Sequence, residues 1–250
     1  MENEKKNLKE NDNNKTKSEE KNSSKKKILV STLIKTIILI IVLIVVIMIA
    51  RKIIIIKNLQ NKVSQYVDLS SYSIRSTTYR GDSISFDECL VNDDRYISIT
   101  NYIDKENNNK AITFSDEGKV NSYIETNGNK IATLDVEVVA PTKKGVIECL
   151  ETNGLKEFLY MIFTTRISSE MCDGKECYKI ENLKNSNMLY VANSYTTVYV
   201  DKDTGLLVRG VSVKLDTEDK DLVVDYDYEF NTITDEDIEE PDISEYKIND

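Results

Sequence analysis

The sequence contains no histidine, and that absence removes more chemistry than any residue present supplies. Ser-His-Asp and Cys-His hydrolysis, the usual His-containing metal sites and the commonest general base near neutral pH are all excluded. Glycine is also scarce, with eight in 250 residues, and these lie scattered in turns, so no glycine-rich cradle for a phosphate exists. The four cysteines include no Cys-x-x-Cys pair, which together with the missing histidine leaves no zinc-binding set. No cofactor or metal is implied. Acidic residues are plentiful, but 37 of them between 58 and 250 make any catalytic carboxylate pair arbitrary. Asp201-Lys202-Asp203-Thr204-Gly205 opens like a calcium loop, yet its glycine comes one position early and Ser212 stands where a bidentate Glu is required.

What the chain does have is one long apolar run, Ile28 to Ala50, interrupted by a single charge at Lys35. At 1.5 Å per residue, about 20 helical residues cross a hydrocarbon core of roughly 30 Å. A central Lys costs about 2.5 to 3.5 kcal/mol and each Leu, Ile or Val returns about 0.3 to 0.6, so the run inserts despite Lys35. Lys35 lies near one end, where its stem reaches the interface. The run exceeds the apolar region of an export signal, and Ile47-Met48-Ile49-Ala50-Arg51 lacks the small-x-small pattern for cleavage. An uncleaved signal anchor over 28–56 is expected. Nine Lys in residues 1–27, three of them directly before the run, place the N-terminus in the cytoplasm and the large domain outside a plasma membrane.

Charge divides the two sides further. Residues 1–27 carry nine Lys against six acidic residues, and with almost no apolar side chain this tail is expected to be disordered. Residues 58–250 carry 20 Lys and Arg against 37 Asp and Glu, a net charge of −17. Such a surface repels phosphate backbones, so no nucleic-acid partner is expected.

From 69 to 250 the pattern is mostly that of antiparallel strands. Apolar residues alternate in Arg95–Ile103, Lys130–Val138, Thr197–Val200 and Leu222–Phe230. Turn signals punctuate them at Asp104 to Asn109, Asp116-Glu117-Gly118, Asn127-Gly128-Asn129, Asp173-Gly174 and Asp203-Thr204-Gly205. Two stretches have helical spacing. Residues 57–68 continue the anchor as a juxtamembrane helix, and Leu155 to Ile167 carries a stripe of Leu155, Phe158, Leu159, Met161 and Ile162. The expected class is α+β, mostly antiparallel: a curved meander sheet or half-open barrel with one or two helices, tethered by a single transmembrane helix.

The segment Val198-Tyr199-Val200-Asp201-Lys202-Asp203-Thr204-Gly205-Leu206-Leu207-Val208-Arg209, then Val224 to Phe230, Asp235-Glu236-Asp237-Ile238 and Pro241, resembles the LolA/LppX-like superfamily of lipoprotein-carrier and envelope lipid-binding domains. The resemblance spans about 69–250. It implies a half-open barrel closed by helices around an apolar cavity for acyl chains. A retained anchor departs from a free carrier, and no cavity-lining residue transfers by motif. Three readings follow. The first is a non-enzymatic binding module for a lipid or lipoprotein-like ligand, with Phe158, Leu159 and Ile162 as cavity or lid residues. The second is an envelope protein-interaction or assembly component with a filled core. The third is an envelope enzyme using carboxylates. The interior, empty and apolar or filled, separates the first two.

All four cysteines fall on the outer side, where disulfides persist. Cys172 and Cys177 flank a hairpin. They face each other across a four-residue loop, but across a tight Asp173-Gly174 turn Cys172 opposes Lys175 and meets Cys177 only diagonally. Cys172–Cys177 is the first candidate bridge, with Cys89–Cys149 the conditional second.

Overall fold

The computed structural model describes residues 2–103, 108–136, 150, 152, 154–183, 194–214 and 220–249, with side chains from Thr32 onward except 194–196, 213–214 and 220–221. Helix α1 runs Glu2–Val67 without a break at 27 or 56. Two compact units divide this chain, residues 1–51 and 52–250. In the first, Leu33, Ile34 and the run Ile37 to Met48 are exposed all round the helix. This stretch is long and apolar enough to cross a membrane.

In the second unit the strands are β1 (Ser71–Arg80), β2 (Ser83–Asn92), β3 (Arg95–Ile103), β4 (Asn108–Asp116), β5 (Lys119–Thr126), β6 (Asn129–Thr133), β7 (Arg166–Cys172), β8 (Lys175–Leu183), β9 (Ser194–Asp201), β10 (Leu207–Lys214), β11 (Lys220–Phe230) and β12 (Lys247–Ile248). Helix α2 (Leu155–Thr164) precedes β7. The strands form one open sheet in the order β12-β6-β5-β4-β3-β2-β1-β11-β10-β9-β8-β7. Every pairing is antiparallel except β12 with β6. Two meanders, β1–β6 and β7–β11, are thus fused where β11 returns beside β1. The expected α+β class and curved meander are present, and the sheet does not close on itself.

The turns explain the short spacing. Asn127-Gly128 and Asp173-Gly174 both hold positive φ at their two central residues, the arrangement whose twist matches that of the flanking strands. The expected strand at 130–138 is described only as far as β6, its end lying outside the described residues. The turn at 104–109 falls partly outside them too. Helix α2 stops at Thr164 rather than Ile167, because Thr165 is already extended and Arg166 begins β7. Thr164, Thr165 and Ile167 are β-branched, which lowers helix propensity at this point.

The strand register places two cores on opposite faces of the sheet. On one face Tyr72 lies across from Phe230 and Val91, and Ile180, Val198 and Val200 continue it. The C-terminal part of α1 and helix α2 cover this helix face. On the other face Ser73 lies across from Leu90, which pairs with Ile97, which pairs with Phe114. There Ile97, Ile112, Phe114, Tyr123 and Ala132 are covered by Ile233, Ile238 and Tyr246 of the C-terminal segment. That segment is held by Arg95, which donates to the carbonyls of Asp235 and Ile238, and by Tyr123 and Asn121, which donate to Glu240.

Candidate functional site

The three residues proposed for a cavity sit on α2, and the structure separates them. Ile162 is fully buried, Leu159 points outward, and Phe158 is half-buried beneath Lys57, whose Nζ lies 5.1 Å from its ring centre. On the two helices and strands β8 to β10, Ile56, Leu59, Ile162, Ile180, Val198, Val200 and Leu207 are each at most 1% exposed. A side chain bordering a void wide enough for water keeps accessible surface; these keep essentially none.

The elements that carry them are clamped together. Lys52 Nζ donates to the carbonyl oxygens of Ile162 (3.0 Å) and Thr165 (2.5 Å), placing a cation at the C-terminal end of α2 where unpaired carbonyls accumulate. Gln60 Nε2 donates to Leu150 O at 2.9 Å and Lys62 Nζ to Lys202 O at 2.5 Å. At the β9–β10 turn, Gly205 has φ +78°, and a Cβ there would lie 2.6 Å from Leu59 O. Only glycine lets α1 approach this turn. Tyr66 stacks on Phe230 at 4.5 Å between ring centres.

The opposite face between the two halves carries charge instead. Arg75 donates to Glu88 (2.6 Å) and Glu229 (2.7 Å), spanning β2, β1 and β11. Arg209 grips both carboxylate oxygens of Asp225 and reaches both oxygens of Asp173 at 3.2 Å. Hydrogen bonding to Asp225, ahead of all other influences, raises the Arg209 guanidinium pKa above its ordinary value. Asp227 shares this face opposite Arg75 and is exposed. Solvent reaches these pairs, so each is worth only about 0 to 1 kcal/mol, and the strip stays open as a charged surface.

Cys172 and Cys177 lie on this face with Val208 and Tyr199. The hairpin takes the tight form: Cys172 opposes Lys175 and Cys177 opposes Glu170. Both are free thiols, so the bridge expected here is not formed, and the two meet only diagonally. Burial pushes Cys177 up to about 11. Cys89, on the helix face beside Tyr72, Val91 and Tyr96, is a thiol pushed up to about 12, by burial first and by Glu88 second. Its proposed partner Cys149 lies outside the described residues.

No family model matches this chain, and no curated protein does. Solved structures do. It is similar to an uncharacterized conserved protein from Thermus thermophilus, with TM-score 0.45 and 9% identity over 77% of this chain and 98% of that one. MucB in the Pseudomonas aeruginosa MucA/MucB complex gives TM-score 0.33 and 9% identity over 78% and 63%. A LolA superfamily protein from Nitrosomonas europaea gives 0.26 and 11% over 74% and 97%. All three TM-scores lie below 0.5, at 11% identity or less.

Sequence reasoning missed Lys52, Gly205 and the Arg209 cluster. Lys52 reads as an interfacial charge and Gly205 as an ordinary turn glycine, because their partners Ile162 and Leu59 lie far away in the chain.

Proposed function

We propose that this chain is a membrane-tethered envelope protein whose large domain lies outside the membrane and binds other proteins, with its interior filled by its own side chains. The observation supporting this reading is that seven apolar side chains of α1, α2, β8, β9 and β10 are each at most 1% exposed. The tether is the apolar run Ile28 to Ala50, and the lysines before it favour a cytoplasmic N-terminus. The docking surface is the exposed strip on the face that α2 does not cover, where Asp227, Glu229 and Glu88 surround Arg75 and leave a net negative charge. A net charge on an exposed face favours partners of the other sign and speeds encounter.

Residues 52–250, purified from a membrane-containing host, test this by native mass spectrometry with lipid extraction. The expected result is the unliganded mass, unchanged when lipid is titrated. A stoichiometric lipid that survives purification sinks the reading and restores the carrier interpretation. A photo-crosslinking residue at Asp227 in the intact envelope is expected to capture protein, with a yield that falls as salt rises.

A further inference from the structure

The sheet ends on one side in β12, two residues long, and on the other in β7, seven residues long. Among the described residues nothing pairs with the outer side of β7. An edge strand presents unpaired backbone groups, and edges are commonly blunted by shortness, by Pro or Lys, or by a bulge. β7 has no Pro, no Lys and an unbroken register with β8, and its Ser168, Ser169, Glu170 and Met171 are all exposed. The turn decides which backbone groups are free. Asp173-Gly174 is a two-residue turn, so Cys172 and Lys175 exchange the closing hydrogen bonds, and by alternation Glu170, Ser168 and Arg166 direct theirs to β8 as well. Ile167, Ser169 and Met171 therefore aim N–H and C=O away from the sheet, ready for another strand.

Charge selects the occupant. Although residues 58–250 carry −17, β7 itself is neutral, with Arg166 against Glu170. A strand pairing antiparallel with its own copy is symmetric about one residue, and residues directly opposite point to the same face. Centred on Ser168, Arg166 stands opposite the second copy's Glu170, and Glu170 opposite its Arg166. Centring on Arg166 or on Glu170 sets like charges together, and centring on Ile167 or Ser169 leaves both charges opposite uncharged residues. One self-pairing is thus complementary at both ends. Arg166, Ser168 and Glu170 share the face of Cys172, which α2 does not cover, and there Lys179 lies 3.4 Å from Glu170 while Glu181 stands opposite Arg166 on β8. Each charge on β7 has one opposite charge beside it in its own chain and gains a second from the copy.

We propose that β7 pairs antiparallel with β7 of a second copy of this chain, centred on Ser168, so that two sheets become one across a two-fold axis. Residue i then meets j while j meets i, as a closed dimer requires. The N–H and C=O of Ile167 bond those of the second copy's Ser169, and Ser169 those of its Ile167. On the helix face the same register sets Met171, 61% exposed, opposite the second copy's Thr165 and beside the last turn of its α2, where Phe163 is 65% exposed. The contact leaves the strip around Arg75, five strands away, open to other partners.

Native mass spectrometry of the full chain in detergent micelles reads the number of chains per particle, and the wild-type chain is expected to give a dimer. Arg166→Glu places two acidic groups opposite each other at both ends of the paired strands and Glu170→Arg two basic ones, so each alone is expected to weaken the dimer about tenfold or more. Mixed one to one, the two variants bring opposite charges together again and are expected to form a dimer with one chain of each, which unfolding of either cannot imitate. The register is read separately. Directly opposed residues outside the hydrogen-bonded pairs lie about 4.5 Å apart between Cα atoms, within reach of a disulfide. Under mild oxidation Ser168→Cys is expected to yield a dimer linked through position 168, and Lys119→Cys, at an exposed site on β5, only the wild-type background. A monomeric wild-type chain overturns the proposal. So does a dimer that neither charge variant weakens, the result expected if α1 alone held the copies together. If mixing restores nothing, linkage through position 168 upholds the pairing and its absence overturns it.

Discussion

At the scale of single residues, Gly205 and Gly174 make a controlled comparison, since both hold φ near +78°. Nothing lies within 4 Å of a Cβ at Gly174, so Gly174→Ala pays only the left-handed backbone cost, about 1 to 2 kcal/mol. Gly205→Ala adds a collision with Leu59 O and is expected to cost about 2 to 5 kcal/mol. Urea denaturation of both variants checks this, and equal losses would refute the close approach. The thiols give a second prediction. With Cys177 near 11 against an ordinary 9.0, its thiolate fraction near neutral pH falls about 100-fold, so alkylation of the native protein is expected to be at least that much slower than after unfolding. Mass mapping of iodoacetamide adducts measures it.

At the scale of elements, α2 is divided by face. Ile162→Ala removes a fully buried side chain and is expected to cost about 2 to 5 kcal/mol, whereas Leu159→Ala, on the outward face, is expected to change stability of the detergent-solubilised chain by less than about 0.5. Thermal unfolding of the two variants tests the orientation of the helix. The C-terminal segment is held partly by carboxylates: Asp237 accepts from the backbone N–H and hydroxyl of Thr234, and Asp242 from Ser244 N–H. These bonds lower both pKa values below the ordinary 3.8, led by the backbone N–H in each case. A carboxylate depressed in the fold contributes its stability above the unfolded pKa and loses it as pH falls through the folded value. Hydrogen-exchange protection within 231–246 is therefore expected to fall as the pH drops through and below 3.8, and Asp237→Asn is expected to show the loss already at neutral pH.

At the scale of the whole molecule, two cores on opposite faces of one sheet divide stability. Ile238→Ala strips part of the cover from Ile97, Ile112 and Phe114 without touching the helix face. Local opening follows the cooperative unit that loses contacts. Hydrogen exchange is expected to accelerate in β3–β6 and stay slow in β8–β10, while Ile162→Ala does the reverse. Uniform acceleration by both variants would mean that the sheet opens as one unit.

The apolar run, the acidic domain, the strand at 95–103 and the glycine turns were all legible from sequence, because each is a local pattern of period, charge or backbone preference. The meander followed from turn spacing. The sequence could not say which face each meander buries, since alternation marks two faces without naming the one that is covered. That choice was made by segments far away in the chain, α1 and α2 over β8–β11 and residues 233–246 over β3–β6. The helical stripe at 155–162 was equally ambiguous: Ile162 joined the core and Leu159 did not, because Lys52 and Lys57 set the rotation of α2 against α1. Whether the interior is empty or filled depends on how seven side chains from five elements meet, and only the tertiary structure brings them together.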